Sequence, residues 1–348
     1  TTPEAVSITL ENGRRFGAWS DIEMVFGLDS YSALSLSGPF DHERKEVREA
    51  FQPLMYPKVI VNVGDELVFT GRVKDVQPQV DATASSVGVT AYALPNDLTE
   101  VCPPPELLPL EFNGLDLRQI AGRLVTATLG IDVVFDAQPG ATFSKIRCEQ
   151  DAVIHGFLVD LALQRGYVLS DLPTGDLLFR SEAFKGAPVA RLEGQPLGKV
   201  TANFNPGSWF SKVTGRASQK AGKAGSRYSQ NNPLYRASHP RAFTFSVEDT
   251  EAADVPKAVT AAIGRMIASV VTYTVEELPT WRDPKGSLWR PNTTLTLVAP
   301  EAMVYRETEL LIRAVKLRQT PEAETATLEL CLPGSFGGFL GMELPWDL

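Results

Sequence analysis

The sequence predicts a mixed, β-rich α+β protein: two similar β-barrel-like domains with inserted α+β domains. Three observations predict it. A hairpin motif occurs twice, period-two alternation fills both ends of the chain, and helical periodicity is concentrated between them. The first copy of the motif runs Glu66-Leu67-Val68-Phe69, Arg72-Val73-Lys74, Pro78, Asp81-Ala82-Thr83-Ala84 and Val87-Gly88-Val89. The second runs Glu309-Leu310-Leu311-Ile312, Val315-Lys316, Pro321, Glu324-Thr325-Ala326-Thr327 and Leu328-Glu329-Leu330. Each is an extended apolar run, a turn carrying proline and an acid, and then an alternating strand, which is the pattern of a long hairpin. If the repeat is a duplication, three chains supply six similar domains, so a trimer can match a six-fold ring.

Residues 1–100 form the first β-barrel-like domain, with alternation in Val6-Ser7-Ile8-Thr9-Leu10 and Val59-Ile60-Val61-Asn62-Val63. The run Cys102-Pro103-Pro104-Pro105 ends it, because proline removes a ladder donor and restricts the residue before it. Residues 101–185 are an inserted α+β domain. Leu117, Ile120, Ala121, Leu124 and Thr128 share a helix face that stops at Gly130, and Ile131–Phe135 follows as a strand. Ile154, Phe157, Leu158 and Leu161 share a second helix face ending near Gly166, and strands at 167–169 and 177–179 flank a turn at Pro173-Thr174-Gly175-Asp176.

The second β-barrel-like domain takes residues 186–217 plus 280–333, and residues 218–279 are an insertion within it. Between Glu193 and Glu248 there is no acid, whereas Lys199, Lys212, Arg216, Lys220, Lys223, Arg227, Arg236 and Arg241 are all basic. Ser218 to Ser238 is rich in Gly, Ser, Asn and Lys and is expected to be a mobile basic loop. It is either a solvated hairpin tip or a surface for an acidic partner or DNA phosphates, with Lys220, Lys223, Arg227 and Arg236 as its candidate contacts. Strand 243–247 precedes a helix striped by Val255, Val259, Ile263, Met266 and Val270, with Asp254 as N-cap and Pro256 in the first turn. In the tail, residues 334–348, Phe336, Phe339 and Leu340 sit among glycines. Such a segment either frays or docks on a neighbouring protein.

Composition bounds the function. The 348 residues leave room for two to four domains, and 43% hydrophobic with 22% charged residues is ordinary for a globular chain. A net charge of -9 argues against a general nucleic-acid binder. Cys102, Cys148 and Cys331 offer no disulfide framework, and Thr1-Thr2-Pro3 lacks the regions of a signal peptide, so assembly in a reducing cytoplasm is expected. Residues 258–275 are apolar but carry Arg265 mid-run, which suits a buried helix better than a membrane span.

Catalytic and cofactor chemistry is expected to be absent. His42, His155 and His239 are scattered, no metal-binding pair or nucleophile elbow occurs, and there is no phosphate-cradling glycine loop. The carboxylate pairs Asp132/Asp136 and Asp171/Asp176 and the tryptophans Trp19, Trp209, Trp281 and Trp289 leave a carbohydrate-active enzyme as the reading from a different class.

The order of motifs resembles the baseplate hub protein of Mu-type contractile phage tails, related more distantly to the T4 hub and the N-terminal part of the type VI secretion spike. The resemblance rests on Leu10-Glu11-Asn12-Gly13, Trp19-Ser20-Asp21-Ile22 and Gly27-Leu28-Asp29 at the start. Gly130-Ile131-Asp132-Val133, Gly166-Tyr167-Val168-Leu169 and Gly175-Asp176-Leu177-Leu178-Phe179 resemble the family's inserted domain. Val213-Thr214-Gly215, Gly286-Ser287-Leu288-Trp289, Pro291-Asn292 and Glu309-Leu310-Leu311-Ile312 resemble the strands of its second barrel. The resemblance implies a homotrimer forming a pseudo-six-fold ring that adapts the tail tube and baseplate to a central spike. It also implies a channel for the genome and tape measure protein, DNA contact that is only transient, no stable membrane association, and a place in the virion tail. The hub of a bacterial contractile injection system is the nearest alternative.

Overall fold

A computed structural model describes every residue except 1–2, 12, 18, 82–83, 182–183, 185, 195–197, 218–225, 248–253, 338–340, 342 and 348. The first half builds β1 (Val6–Leu10), β2 (Arg15–Phe16), β3 (Asp21–Gly27), β4 (Ala33–Pro39), α1 (Lys45–Ala50), β5 (Lys58–Val63), β6 (Glu66–Val80) and β7 (Ser85–Ala93). Alternation makes these strands. In β5, Val59, Val61 and Val63 are buried, while the residues between them are partly exposed.

The inserted unit follows with α2 (Leu117–Leu129), β8 (Val133–Phe135), α3 (Ile154–Arg165), β9 (Val168–Asp171) and β10 (Leu177–Arg180), its strands in the order β8-β10-β9. Asp116 and Gln119 form a capping box at the start of α2, a signal the apolar stripe alone does not carry. Gly130 at φ 68° and Gly166 at φ 76° end the two helices in the left-handed conformation. Leu117, Ile120, Leu124, Leu158 and Phe179 fill this unit's own core.

The second half contributes β11 (Arg191–Glu193), β12 (Lys199–Phe204), β13 (Lys212–Ala217), β14 (Arg227–Asn231), β15 (Ala242–Val247) and α4 (Val255–Val270). It closes with β16 (Val271–Leu278), β17 (Thr294–Ala299), β18 (Val304–Gln319) and β19 (Glu324–Cys331). Asp254 stands at the N-cap of α4, but its carboxylate pairs with Arg165 of α3 instead of capping the helix.

Thirteen strands form one sheet along the path β12-β16-β19-β18-β3-β4-β7-β6-β5-β1-β2, with β17 on β18 and β11 on β17. The two halves repeat one topology. The run β3-β4-β7-β6-β5-β1 in the first half matches β12-β16-β19-β18-β17-β11 in the second, with the last strand parallel to its neighbour instead of antiparallel. Both long hairpins also carry a bulge, at Lys74 between the pairs Val73/Ala91 and Asp75/Thr90, and at Arg313 between Ile312/Leu330 and Ala314/Glu329. Asp75–Val80 therefore corresponds to Ala314–Gln319.

Four expectations change. The motif that aligned Glu66 with Glu309 is out of step by a few residues, because the bulges set the true phase. Neither half closes into a barrel among the described residues; pairing of β18 with β3 carries the sheet from one half into the other. β16, assigned to the insertion, lies inside the sheet between β12 and β19. The segment expected as a mobile loop is partly folded. β14 pairs with β13, and beyond it Leu234 is buried at 1% exposure with Asn232 bonded to Phe210 O at 3.1 Å. Lys220 and Lys223 lie outside the described residues.

Candidate assembly interface

The seam between the halves shows what strand pairing does in this fold. One edge of β18 is taken by β19. The other takes β17 as far as Leu311 and then β3, with Ala314–Gln319 opposite Gly27–Ile22. Arg313–Asp29 at 2.9 Å, Lys316–Glu23 at 3.3 Å and Arg318–Asp21 at 2.6 Å cross the seam, and Leu28 N donates to Arg313 O at 2.8 Å. These pairs are partly exposed, so they fix register more than they add stability.

β6 has the same arrangement with one strand missing. Its first edge is taken by β7 through Val80. Its second takes β5 only as far as Arg72, and Val73 N donates to Pro57 O at 3.0 Å. From Asp75 to Val80, where the matching stretch of β18 takes β3, no strand is present among the described residues. Val80 is 82% exposed in consequence. The counterpart of β3 is β12, because Leu36 lies between Val89 and Ile22 just as Val275 lies between Leu328 and Val200. β12 pairs with β16 on one edge and ends the sheet path on the other. Among the described residues the chain thus presents two unpaired edges, β6 and β12, that are copies of the two edges joined at its internal seam.

The other predicted site residues fall elsewhere. Phe336 is 7% exposed and packs with Leu28, Val168, Ala268, Leu311 and Cys331 of its own chain, with Arg313 over its ring. The expectation that it needs a neighbouring protein for burial is therefore corrected; the turn at Gly334, φ 81°, folds it back. Phe339 and Leu340 lie outside the described residues, and Leu344 and Trp346 beyond them pack on the main core. Arg227 is on β14, and Arg236 donates to Pro233 O at 2.7 Å in the turn after it.

Several of the side chains considered for catalysis have structural partners. Trp281 is fully buried and donates to Arg318 O and Thr325 O at 3.2 and 3.0 Å, and Trp289 donates to Thr280 O at 3.2 Å. Asp136 accepts from Ser181 N at 2.9 Å, and Asp176 accepts from Asp132 N at 3.2 Å and Thr174 Oγ1 at 2.6 Å. Asp171 accepts from Ser32 N at 2.6 Å, and burial pushes its carboxyl up to about 6. His155, held below its usual range by burial, bonds Tyr31 Oη at 2.9 Å. Tyr31 and Ser32 precede β4, so this pair of contacts fastens the inserted unit to the main sheet. A cleft of about 560 Å³ between α3, α4 and the tail is lined by Arg165, Val168, Lys257, Arg265 and Phe336 among others, and by no acid or histidine among the described residues. No group of three metal-ligating side chains occurs among the described residues, and no helix there is long and apolar enough to cross a membrane.

No family profile matches the sequence, and no curated protein matches it. Solved structures do match the fold. A 43 kDa tail protein of prophage MuSo2 from Shewanella oneidensis superposes with a TM-score of 0.79 at 22% identity over 95% of this chain and 99% of that one. A tail protein from Neisseria meningitidis MC58 gives 0.80 at 16% identity over 96% and 98%. An Escherichia coli component of the type VI secretion system, reported as structurally similar to the T4 phage tail proteins gp27 and gp5, gives 0.59 at 11% identity over 96% and 79%. The chain has the β-rich α+β fold of these tail and secretion-system proteins.

Proposed function

We propose that the chain is the structural hub of a contractile phage tail baseplate, a homotrimer that adapts the six-fold tail tube and baseplate to a three-fold central spike. The observation that carries this reading is the pair of matched free edges. If β6 of one copy takes β12 of the next as β18 takes β3, the internal register transfers directly. Val80 then faces Val200, Pro78 faces Ala202 and Val76 faces Phe204 on the core side, while Gln77 and Gln79 face Asn203 and Thr201 on the other. Apolar residues meet apolar and polar meet polar, which is what a correct register requires. Within one chain β6 and β12 are not paired among the described residues, which leaves both edges to a neighbouring copy. Because it joins two different edges the contact is head-to-tail, and a head-to-tail contact that closes makes a ring.

Three copies give six half-units and a central channel, through which the genome passes in transient contact and which the tape measure protein can enter. Spike, tube and other baseplate proteins are the partners of its faces, and the virion tail is its place. Likeness to the secretion-system component extends the same role to a bacterial contractile injection system. The proposal assigns no catalytic step. Light scattering on the purified chain, alone and with its spike, tests it: a trimer is expected in at least one case. A monomer or a two-fold dimer persisting with spike present contradicts it.

A further inference from the structure

The small sheet β14-β13-β15 has one face on α4. Val213 and Val247 are buried there, and a Cβ on Gly215 would come within 2.8 Å of Val259. Alternation sends Lys212, Thr214 and Arg216 to the opposite face. Register sets Asn231, Ser229 and Arg227 beside them on one flank and Ala242, Thr244 and Ser246 on the other, and the Thr214 and Ser229 hydroxyls bond at 2.8 Å. Lys212, Arg216 and Arg227 are exposed, and none has an ion-pair partner among the described residues. Arg216 and Arg227 are directly opposite each other. Like charges so placed oppose strand pairing. At the β18–β3 seam, by contrast, each crossing cation meets a carboxylate.

We infer that this outer face binds the phosphate backbone of nucleic acid. An anion relieves the Arg216–Arg227 repulsion that folding leaves in place. Around a buried Thr214 the face exposes Lys212, Arg216, Arg227, Asn231, Thr244 and Ser246, side chains of the types that contact phosphates and sugars. It carries no aromatic or Met, whereas the cores of protein interfaces are enriched in those and depleted of Lys. Lys212 and Arg216 lie about 13 Å apart along one strand, a row that a polyanion can follow. The inference does not depend on ring formation, since all three cations belong to one chain.

Fluorescence anisotropy with a labelled mixed-sequence DNA duplex tests it on the full-length protein. With three phosphates neutralised, the logarithm of the binding constant should fall against the logarithm of salt with a slope of about -2.7, so binding weakens about 40-fold from 50 to 200 mM salt. The double variant Arg216→Gln/Arg227→Gln should bind at least about tenfold more weakly with a slope near -1, while its Tm stays or rises because the like-charge pair is gone. Absence of binding at 50 mM salt, or binding that the variant leaves unchanged, overturns the inference. Tighter retention of polyglutamate than of DNA overturns it in favour of an acidic protein. A fall in the variant's Tm overturns it by assigning the arginines to the fold.

Discussion

At the scale of the residue, burial decides what the chemically capable side chains do. Trp281 looks like a sugar platform in a sequence, but its indole N–H ties the two arms of the β18–β19 hairpin. Exposure of an indole cannot be read from local composition, because it depends on a strand remote in sequence. Asp171 is the clearest titrating case. Its folded carboxyl holds a proton up to about 6 against an ordinary 3.8. Below about pH 4 the acid is protonated folded and unfolded, with no penalty; as pH rises toward 6 the unfolded chain ionises first and stability falls, by about 3 kcal/mol at most, and stays lower above. Asp171→Asn keeps an acceptor for Ser32 N and removes that slope. Urea midpoints at pH 4 and pH 7 should therefore separate the variant from the parent chain only at the higher pH. Phe336 gives a second test: Phe336→Ala should cost about 3 kcal/mol in the isolated chain, seen as a lower Tm, whereas an interface-only residue would leave the Tm unchanged.

At the scale of the element, helices and hairpins were legible where periodicity and turn chemistry agree. α2 and α3 end at the glycines the pattern marked, Gly130 and Gly166, because no other residue adopts a left-handed stop as cheaply. The basic segment was misread because few apolar residues suggested no packing. One leucine suffices: Leu234 enters the main core, and Asn232 satisfies the turn by accepting from Leu234 N at 3.0 Å. Leu234→Ala should destabilise the chain by about 2–4 kcal/mol. A thermal midpoint unchanged by this substitution would return the segment to a solvated loop. The repeat was visible as two hairpins, but its phase was not, since a β-bulge inserts one unpaired residue without a reliable sequence mark.

At the scale of the whole molecule, the two β-barrel-like domains expected from the sequence are found joined in one thirteen-stranded sheet. Each half has the strand order of a curled unit, yet the β18–β3 seam hands each strand to the other half. Sequence patterning supplies the strands and their faces, whereas the pairing partners come from topology, so the free edges at β6 and β12 could not be seen as a matched pair in advance. An exposed edge is a pairing template. Val80→Asp on β6, where the side chain is 82% exposed, should leave the chain folded, with an unchanged circular dichroism spectrum, but unable to assemble, because it places a charge against Val200 of the next copy. The most direct test uses disulfide trapping of the register. Gln79→Cys with Thr201→Cys, in a chain carrying Cys102→Ser so that only buried native thiols remain, sets two cysteines opposite each other across the proposed seam at a separation that a disulfide spans. Mild oxidation should give covalent dimers and trimers and nothing larger, with either single cysteine variant giving no trimer. Failure to cross-link in a chain that folds, or an open ladder extending past the trimer, would contradict a ring of three joined at β6 and β12.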